Sequence, residues 1–315
     1  MRINQPVTQH ELAVPEGVTL MSTTDEKGRI QYANNAFVAL SGFSREELIG
    51  QPHNLIRHPD MPPEAFADLW ATLKQDMSWV GLVKNRAKNG DYYWVHANVT
   101  PMFRHGRLTG YVSVRTKPER ADVEHAEQLY AHVRDGTARG IAFRRGAVVY
   151  TGWRSWMSLD RTASLNARLM GAMGLPLIGG LVGMGAGHLA ATELIGTLAG
   201  ATIGSVLGYW VLHAQVKEPL ESILRHAQRV ACGDTKPHRP LDRIDELGLL
   251  MRMINQAGLN LRALVDDVQH QTSGIETAST EIASGNADLA RRNEATTSHL
   301  DGTVASMDTQ IGRAS

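Results

Sequence analysis

The run Gly50-Gln51-Pro52-His53-Asn54-Leu55-Ile56-Arg57-His58-Pro59-Asp60-Met61-Pro62 carries imidazole, guanidinium, amide and carboxylate groups between prolines. The chemistry open to such a set is recognition: several hydrogen-bonding groups aimed at one polar ligand from one wall of a pocket. A solvated loop has the same composition, because connecting segments are usually polar. The elements on either side have to decide between the two.

Upstream, residues 19–24 alternate like a half-buried strand. Asp25-Glu26-Lys27-Gly28 reads as a turn and residues 29–32 as the returning strand. A short helical turn follows over 33–40. Ser44-Arg45-Glu46-Glu47 fits a capping box, in which a hydroxyl and a carboxylate satisfy the first free amides of a helix. Residues 63–74 are helix-like. Residues 79–86 and 92–102 read as strands joined by Lys88-Asn89-Gly90-Asp91, since Asn-Gly tolerates positive φ at both turn positions. A second tight turn, Arg104-His105-Gly106-Arg107, leads into an alternating strand over 108–116. Two strands, several short helices and a three-strand antiparallel meander make an α+β sensor module of about 100 residues.

These residues resemble a PAS domain. Tyr32-Ala33-Asn34-Asn35-Ala36-Phe37, Ser41-Gly42-Phe43, the loop through Asp60, Val83-Lys84-Asn85-Arg86 and Lys88-Asn89-Gly90-Asp91-Tyr92-Tyr93-Trp94-Val95 are together similar to the flavin-binding PAS domain of bacterial aerotaxis receptors. The Gln-Pro-His-Asn and Arg-His-Pro-Asp-Met-Pro run is specific to that group; the Lys-Asn-Gly turn is common to most PAS domains. The resemblance implies non-covalent FAD as the sensory cofactor, with Arg57, His58 and Asp60 at the family's flavin-binding positions. Asn34, Asn85 and Trp79 are further candidates for the pocket. Arg57 offers forked donors to a phosphate or to the pyrimidine edge of a flavin, and each asparagine offers donors and an acceptor to a ring edge. Trp79 reads as a stacking surface or as a core strand residue. His53 reads as structural, or as a residue behind those that touch the ligand. The sole cysteine, Cys232, lies far from this module, so cysteinyl-flavin photochemistry has no thiol to use. One thiol also excludes an internal disulfide framework and suits a reducing cytoplasm.

A length of 315 residues suggests two or more domains, and 32 basic against 32 acidic side chains give no electrostatic case for nucleic acid. The charge is segregated instead. From Leu169 to Val216 the only fixed charge is Glu193. The flanks of the polar interruption His188-Leu189-Ala190-Ala191-Thr192-Glu193, residues 169–187 and 194–212, each approach the ~20 residues a membrane-crossing helix needs. The alternative is a buried soluble pair of helices. Against it, Gly179, Gly183 and Gly187, and likewise Gly196, Gly200, Gly204 and Gly208, recur every fourth residue. In water such glycines destabilise a helix, whereas in a membrane they make a face on which helices pack closely. Arg144, Arg145, Arg154, Arg161 and Arg168 precede the first span, and Lys217, Arg225 and Arg229 follow the second. The positive-inside rule then puts both ends in the cytoplasm. Before the spans, residues 118–139 read as a charged helix and linker. Residues 142–156, with Trp153 and Trp156, read as a basic aromatic stretch lying on the membrane surface or as an ordinary linker.

After the spans the period changes. Val216, Leu220, Ile223, Ala227 and Val230 are spaced 4-3-4-3, and Leu250, Ile254, Ala257, Leu261, Leu264 and Val268 resume that pattern beyond the connector Gly233-Asp234-Thr235-Lys236-Pro237-His238-Arg239-Pro240. Two heptad helices with such a connector fit a parallel dimeric four-helix bundle or an ordinary amphipathic pair. Glu218-Pro219-Leu220 and Asp245-Glu246-Leu247-Gly248 resemble the signature of a HAMP signal-relay module, with helices expected over 214–231 and 245–265. The phase continues through Val268, Ile275, Ile282 and Leu289, then Leu300, Val304, Met307 and Ile311, similar to the start of a chemoreceptor (methyl-accepting chemotaxis protein) signalling coiled coil.

The expected order is therefore an N-terminal cap (1–17), a PAS sensor (18–118), a basic helical linker (119–168), a transmembrane helical hairpin (169–212), HAMP (213–265) and coiled coil (266–315). The resemblance implies a homodimeric redox or oxygen-status sensor for aerotaxis at the bacterial inner (cytoplasmic) membrane, not an enzyme, with FAD exchanging electrons with components of respiratory transport. The family's hairpin tip, which docks the chemotaxis kinase and its coupling protein, has no counterpart here. A truncated longer receptor is therefore expected rather than a complete short one. The alternatives are a haem or small-ligand PAS sensor with His53 or His58 on iron, and the sensory half of a kinase or cyclase.

Overall fold

The computed structural model describes residues 4–185, 190–236 and 241–314. Strands β1 (Leu20–Thr24) and β2 (Ile30–Ala33) are antiparallel. In the turn between them the Asp25 carboxylate accepts the N–H groups of Lys27 and Arg29 at 2.9 and 2.8 Å. Helices α1 (Asn35–Ser41), α2 (Arg45–Leu48) and α3 (Pro63–Leu73) follow, then β3 (Trp79–Arg86), β4 (Tyr92–Arg104) and β5 (Arg107–Thr116). The expected capping box forms at α2: Ser44 Oγ accepts the Glu47 N–H at 3.3 Å and the Glu47 carboxylate accepts the Ser44 N–H at 2.9 Å. The sheet order is β2-β1-β5-β4-β3, so the last strand returns to the centre and Leu20 pairs with Arg115. Phe37, Leu48, Ile56, Leu73, Tyr93 and Val95 are buried between the short helices and the sheet.

The N-terminal segment is part of this module. Leu12 donates to the Tyr92 carbonyl at 2.7 Å and Tyr92 to His10 at 3.0 Å, while the buried Arg86 guanidinium donates to the carbonyls of Gln5 and Pro6. Asn4 Nδ2 holds the carbonyls of Asn54 and Arg57, both at 2.8 Å, and so fixes the polar loop from behind.

Beyond the sheet comes α4 (Arg120–Arg134). The basic stretch read as a surface segment or linker folds into a hairpin, β6 (Ile141–Arg144) and β7 (Ala147–Tyr150), followed by a 3-10 helix over Gly152–Ser158 and the single turn α5 (Leu159–Thr162). The hairpin turn needs positive φ at both Arg145 (50°) and Gly146 (83°).

Helices α6 (Leu165–Gly185) and α7 (Ala190–Leu212) pack against each other. Their 21 and 23 residues give lengths of roughly 32 and 35 Å at ~1.5 Å per residue, enough for a hydrocarbon core of ~30 Å. Gly179 meets the Gly200 backbone and Gly183 that of Gly196, close enough that a Cβ on any of the four would overlap a carbonyl opposite. Leu177, Ile178, Leu181, Val182, Leu194, Ile195 and Leu198 face outward and are all more than half exposed. An apolar exterior of this kind suits lipid rather than water. Of the expected connector, residues 188–193, His188 and Leu189 lie outside the described residues, as does Gly187 at the end of the first expected span, while residues 190–193 open α7.

The chain then enters α8 (Glu218–Ala231) and α9 (Glu246–Ala314); of the connector between them, Pro237–Pro240 lie outside the described residues. Ile223, Leu247 and Met251 make a small shared core. The second helix, expected over 245–265 with its heptad phase continuing beyond, runs on unbroken as α9. Segments before and after the spans touch directly: the buried Asp245 carboxylate pairs with Arg243 and with Arg168 at 3.3 Å, and Arg161 pairs with Asp242 at 2.7 Å. Both segments therefore lie on one side of any membrane the hairpin crosses. The chain divides at Ala263 and Leu264 into two compact units. In the second, Val268, Ile275, Ile282 and Leu289, seven residues apart, and Leu300, Val304 and Met307, spaced 4-3, are all more than half exposed. The side chains of Ile311 and of Ser315 at the chain end are outside the described residues.

Candidate functional site

The period of two in a strand decides what faces the interior of the five-stranded module. On β3 it turns Trp79, Val83 and Asn85 inward; on β4, Ala97 and Val99; on β5, Tyr111, Ser113 and Arg115. These residues, with Thr24, Phe66, Leu69, Trp70, Leu73 and the loop residues His53, Asn54, Ile56 and Arg57, enclose a cavity of about 200 Å³. Lys27, Asn54 and Trp70 are exposed and form its rim. The Trp79 ring lies across Gly81, where a Cβ would come within 2.5 Å of the indole.

Arg57 and Asn85 meet here because a backbone bridge joins the loop to β3. The Arg57 guanidinium sits 3.4 Å over the Phe66 ring, and burial lowers its pKa to about 10, so it stays charged at neutral pH. Its Nε and Nη2 atoms are buried without a partner among the described residues, as are Asn85 Nδ2, Ser113 Oγ and Thr24 Oγ1. Arg115, buried and with its pKa also lowered by burial to about 10, donates to Ser22 Oγ at 3.1 Å and to His53 Nε2 at 2.5 Å. Burial, and then the Arg115 charge, hold His53 well below its ordinary pKa, so its ring is a neutral acceptor. Among the described residues neither arginine has a carboxylate partner. An unpaired buried donor or cation is costly, so this cavity is built for a ligand with several acceptor atoms.

Three of the six expected residues line the cavity and three do not. Arg57, Asn85 and Trp79 do. Asn34 is the N-cap of α1: its Oδ1 accepts the N–H groups of Phe37 and Met21, both at 3.0 Å, and its Nδ2 donates to the Thr19 carbonyl at 2.8 Å. Both ends of the amide are engaged by backbone, and the residue lies outside the cavity lining. His58 is buried outside the lining, edge-on to Tyr92, and its Nδ1 accepts the Asp60 N–H at 3.1 Å. The Asp60 carboxylate faces Lys84 Nζ at 2.7 Å and the α4 residue Arg134 at 3.8 Å. Burial pushes its pKa up, but the Lys84 hydrogen bond and charge hold it below the usual carboxylate value. His58 and Asp60 thus tie the polar loop to β3 and α4. Sequence reasoning missed Ser113 and Arg115; their signal was the alternation of β5, in which Tyr111, Ser113 and Arg115 share one face and Val112 and Val114 the other.

Burial takes the His58 pKa from 6.5 to about 4, the Asp60 charge only partly opposing it. The unfolded chain therefore binds a proton between these values that the folded chain does not. Stability is present above pH 6.5 and is lost as pH falls through 4, by up to about 3 kcal/mol. His53 acts in the same direction. Urea unfolding across this range is expected to show that slope, and His58→Gln to remove only part of it. An unchanged slope in the variant would show that His58 is already charged in the folded protein.

The cavity is also wired outward. Trp79 Nε1 donates to Asp68 Oδ2 at 2.8 Å, and the same carboxylate accepts the N–H groups of Arg145 and Gly146 in the β6–β7 turn at 2.8 and 2.7 Å. Arg145 donates to the Ile244 carbonyl at 2.6 Å and accepts from Arg252 of α9 at 2.7 Å. On the outer face of the sheet, Leu259 of α9 packs on Val112 and Val114.

Residues 30–115 match the PAS fold family. The aerotaxis receptor of Escherichia coli (strain K12) is 40% identical over 278 residues, which is 88% of this chain and 53% of that protein. The nitrogen fixation regulatory protein of Klebsiella pneumoniae is 32% identical over 103 residues, covering 32% of this chain and 21% of its own. The methyl-accepting chemotaxis protein McpS of Pseudomonas putida is 35% identical over 92 residues, 29% of this chain and 13% of that one. The chain thus spans about half the length of the aerotaxis receptor. Its inward-facing arginines and asparagine line the core of a PAS domain, and the chain that carries this domain is related over most of its length to the aerotaxis receptor.

Proposed function

We propose that this chain is the sensory and membrane-anchoring part of a redox or oxygen-status receptor for aerotaxis, with non-covalent FAD in the PAS cavity. The observation that carries the reading is the convergence of buried, unpartnered donors from Arg57, Asn85 and Ser113 on one cavity with a flat indole wall. A flavin ring presents carbonyl and nitrogen acceptors along its edge, and these residues fit it. The cavity volume of about 200 Å³ is below the ~300–1,000 Å³ of pockets that enclose a whole ligand. It suits the ring, with the rest of the dinucleotide leaving past the Lys27, Asn54 and Trp70 rim.

Bound there, a flavin supplies reversible electron transfer that alters charge and hydrogen bonding at the ring edge. The chain's own residues determine the response to that change. Arg57 and Arg115 set a positive field that favours added negative charge. Asn85 can present either end of its amide. Trp79 and Asp68 join the cavity wall to the β6–β7 turn and, through Arg145, to the α8–α9 pair. We read that pair as a HAMP module, whose two arrangements the sensor biases. The exposed heptad residues Leu220 of α8 and Leu261 and Leu264 of α9 support a parallel homodimer. The arginine-rich flanks support a cytoplasmic location for PAS and HAMP. A haem reading has less support, because His58 lies outside the cavity and His53 Nε2 already accepts from Arg115.

The test is purification in mild detergent with FAD supplied. The expected spectrum has flavin bands, and denaturation releases FAD without covalent attachment. A Soret band, or a folded preparation that holds no flavin, overturns the reading.

A further inference from the structure

Between the PAS module and the first span, the 3-10 helix Gly152–Ser158 presents Trp153 at 83% exposure and Trp156 at 64%, with Met157, Leu159 and Tyr150 also exposed. Their exposure does not come from a loose segment. Tyr150 N–H donates to the buried Ser158 Oγ at 2.8 Å, Thr151 N–H to the Gly140 carbonyl at 2.8 Å, and Arg161 to the Val148 carbonyl at 3.1 Å. The Arg154 guanidinium lies 5.6 Å from the Tyr150 ring centre and 5.7 Å from that of Trp153, so cation and aromatic faces form one patch. Large apolar side chains held rigidly in water are unfavourable and mark a surface that something covers.

We propose that this patch is a membrane-surface foot: Tyr150, Trp153, Trp156 and Met157 seat in the headgroup–acyl boundary of the leaflet that α6 and α7 enter, and Arg154 pairs with anionic headgroups. The proposal rests on the membrane anchoring of α6 and α7. Two observations select lipid as the occupant rather than a protein. Only residues 159–164 separate the foot from α6, so it lies within about 25 Å of the start of the span even fully extended. The chemistry is also that of an interface, since indole rings and arginine are favoured where one end is apolar and the other wet. Tyr209 and Trp210, both exposed near the end of α7 from which the chain emerges, form a matching aromatic pair. The foot continues directly into β7, whose hairpin turn is bonded to Asp68 of the sensor. The bilayer surface would therefore hold the sensor at a fixed height.

The test uses the full chain in nanodiscs containing phosphatidylglycerol, in a Cys232→Ala background, with a nitroxide at one of three positions. These are Met157 in the foot, Val206 in α7, and Arg104 as an aqueous reference on the sensor. Accessibility to oxygen and to a water-soluble nickel complex is then measured. The oxygen-to-nickel ratio at 157 is expected to lie several-fold above that at 104 and below that at 206. In the Trp153→Ser/Trp156→Ser double variant it should fall toward the 104 value while 206 is unchanged. A ratio at 157 equal to that at 104, with 206 lipid-like, overturns the foot and leaves the anchor standing. Shielding of 157 from both reagents would mean that protein covers the patch, and also overturns it. A water-like 206 removes the anchor and the foot together.

Discussion

Arg57→Ala is expected to lower flavin retention roughly ten- to a hundredfold, the equivalent of ~1.5–3 kcal/mol for a lost charged hydrogen bond. The guanidinium has two buried nitrogen atoms without a partner among the described residues, so the donors are spare until a ligand takes them. Asp60→Ala, three residues on, should leave retention near that of the parent protein, because the carboxylate faces Lys84 and Arg134 rather than the cavity. Flavin-to-protein ratios after dialysis, on samples matched by circular dichroism, separate the two. If Asp60→Ala loses flavin as readily as Arg57→Ala, the ligand sits against the Asp60 side of the loop and not in the cavity.

Asn34→Ala should act on the fold instead, lowering stability by about 3 kcal/mol or more. The N-cap bond alone contributes ~1 kcal/mol, and the substitution also strands the Met21 N–H and the Thr19 carbonyl in a buried setting, each costing ~1–3 kcal/mol when unsatisfied. Asn34→Asp keeps the acceptor for Phe37 and Met21 and loses only the donor to Thr19, so an intermediate loss is expected. Urea unfolding of the three proteins gives the ranking. Equal stability of Asn34→Ala and the parent would mean that the amide is not holding β1 to α1. Any flavin loss in Asn34→Ala then has to be compared with its loss of fold.

These two residues show where sequence reading succeeds and where it stops. Local rules locate the strands, because alternation and the Asn89-Gly90 turn act over a few residues. The Ser44 capping box is equally local. Asn34 reads as a ligand amide because its side chain suits either role and because the helical turn, expected from residue 33, starts one residue after it in the structure. Ser113 and Arg115 become site residues only once β5 is paired with β1 and its inner face is fixed. The β6–β7 hairpin is hidden by Arg144 and Arg145, whose charge suggests a surface segment although Arg145-Gly146 between apolar runs is a turn signal. That Asp68 joins the cavity wall to that turn depends on residues 77 and 78 positions apart in the chain, a separation beyond the reach of any local pattern.

The packing of α6 against α7 has a consequence for how this chain can change over generations. Gly179, Gly183, Gly196, Gly200 and Gly204 each face a backbone too near for any added carbon, whereas Gly171, Gly174 and Gly185 have open space around the position a Cβ would take. The first five should admit no substitution without a compensating shift of the whole opposite helix, so neutral drift is closed to them one at a time. The other three, and the outward Leu177, Leu181 and Leu198, can be exchanged among apolar types at little cost. Two spans of similar composition should therefore age very differently on their two faces, one held to a single residue type and the other free to wander.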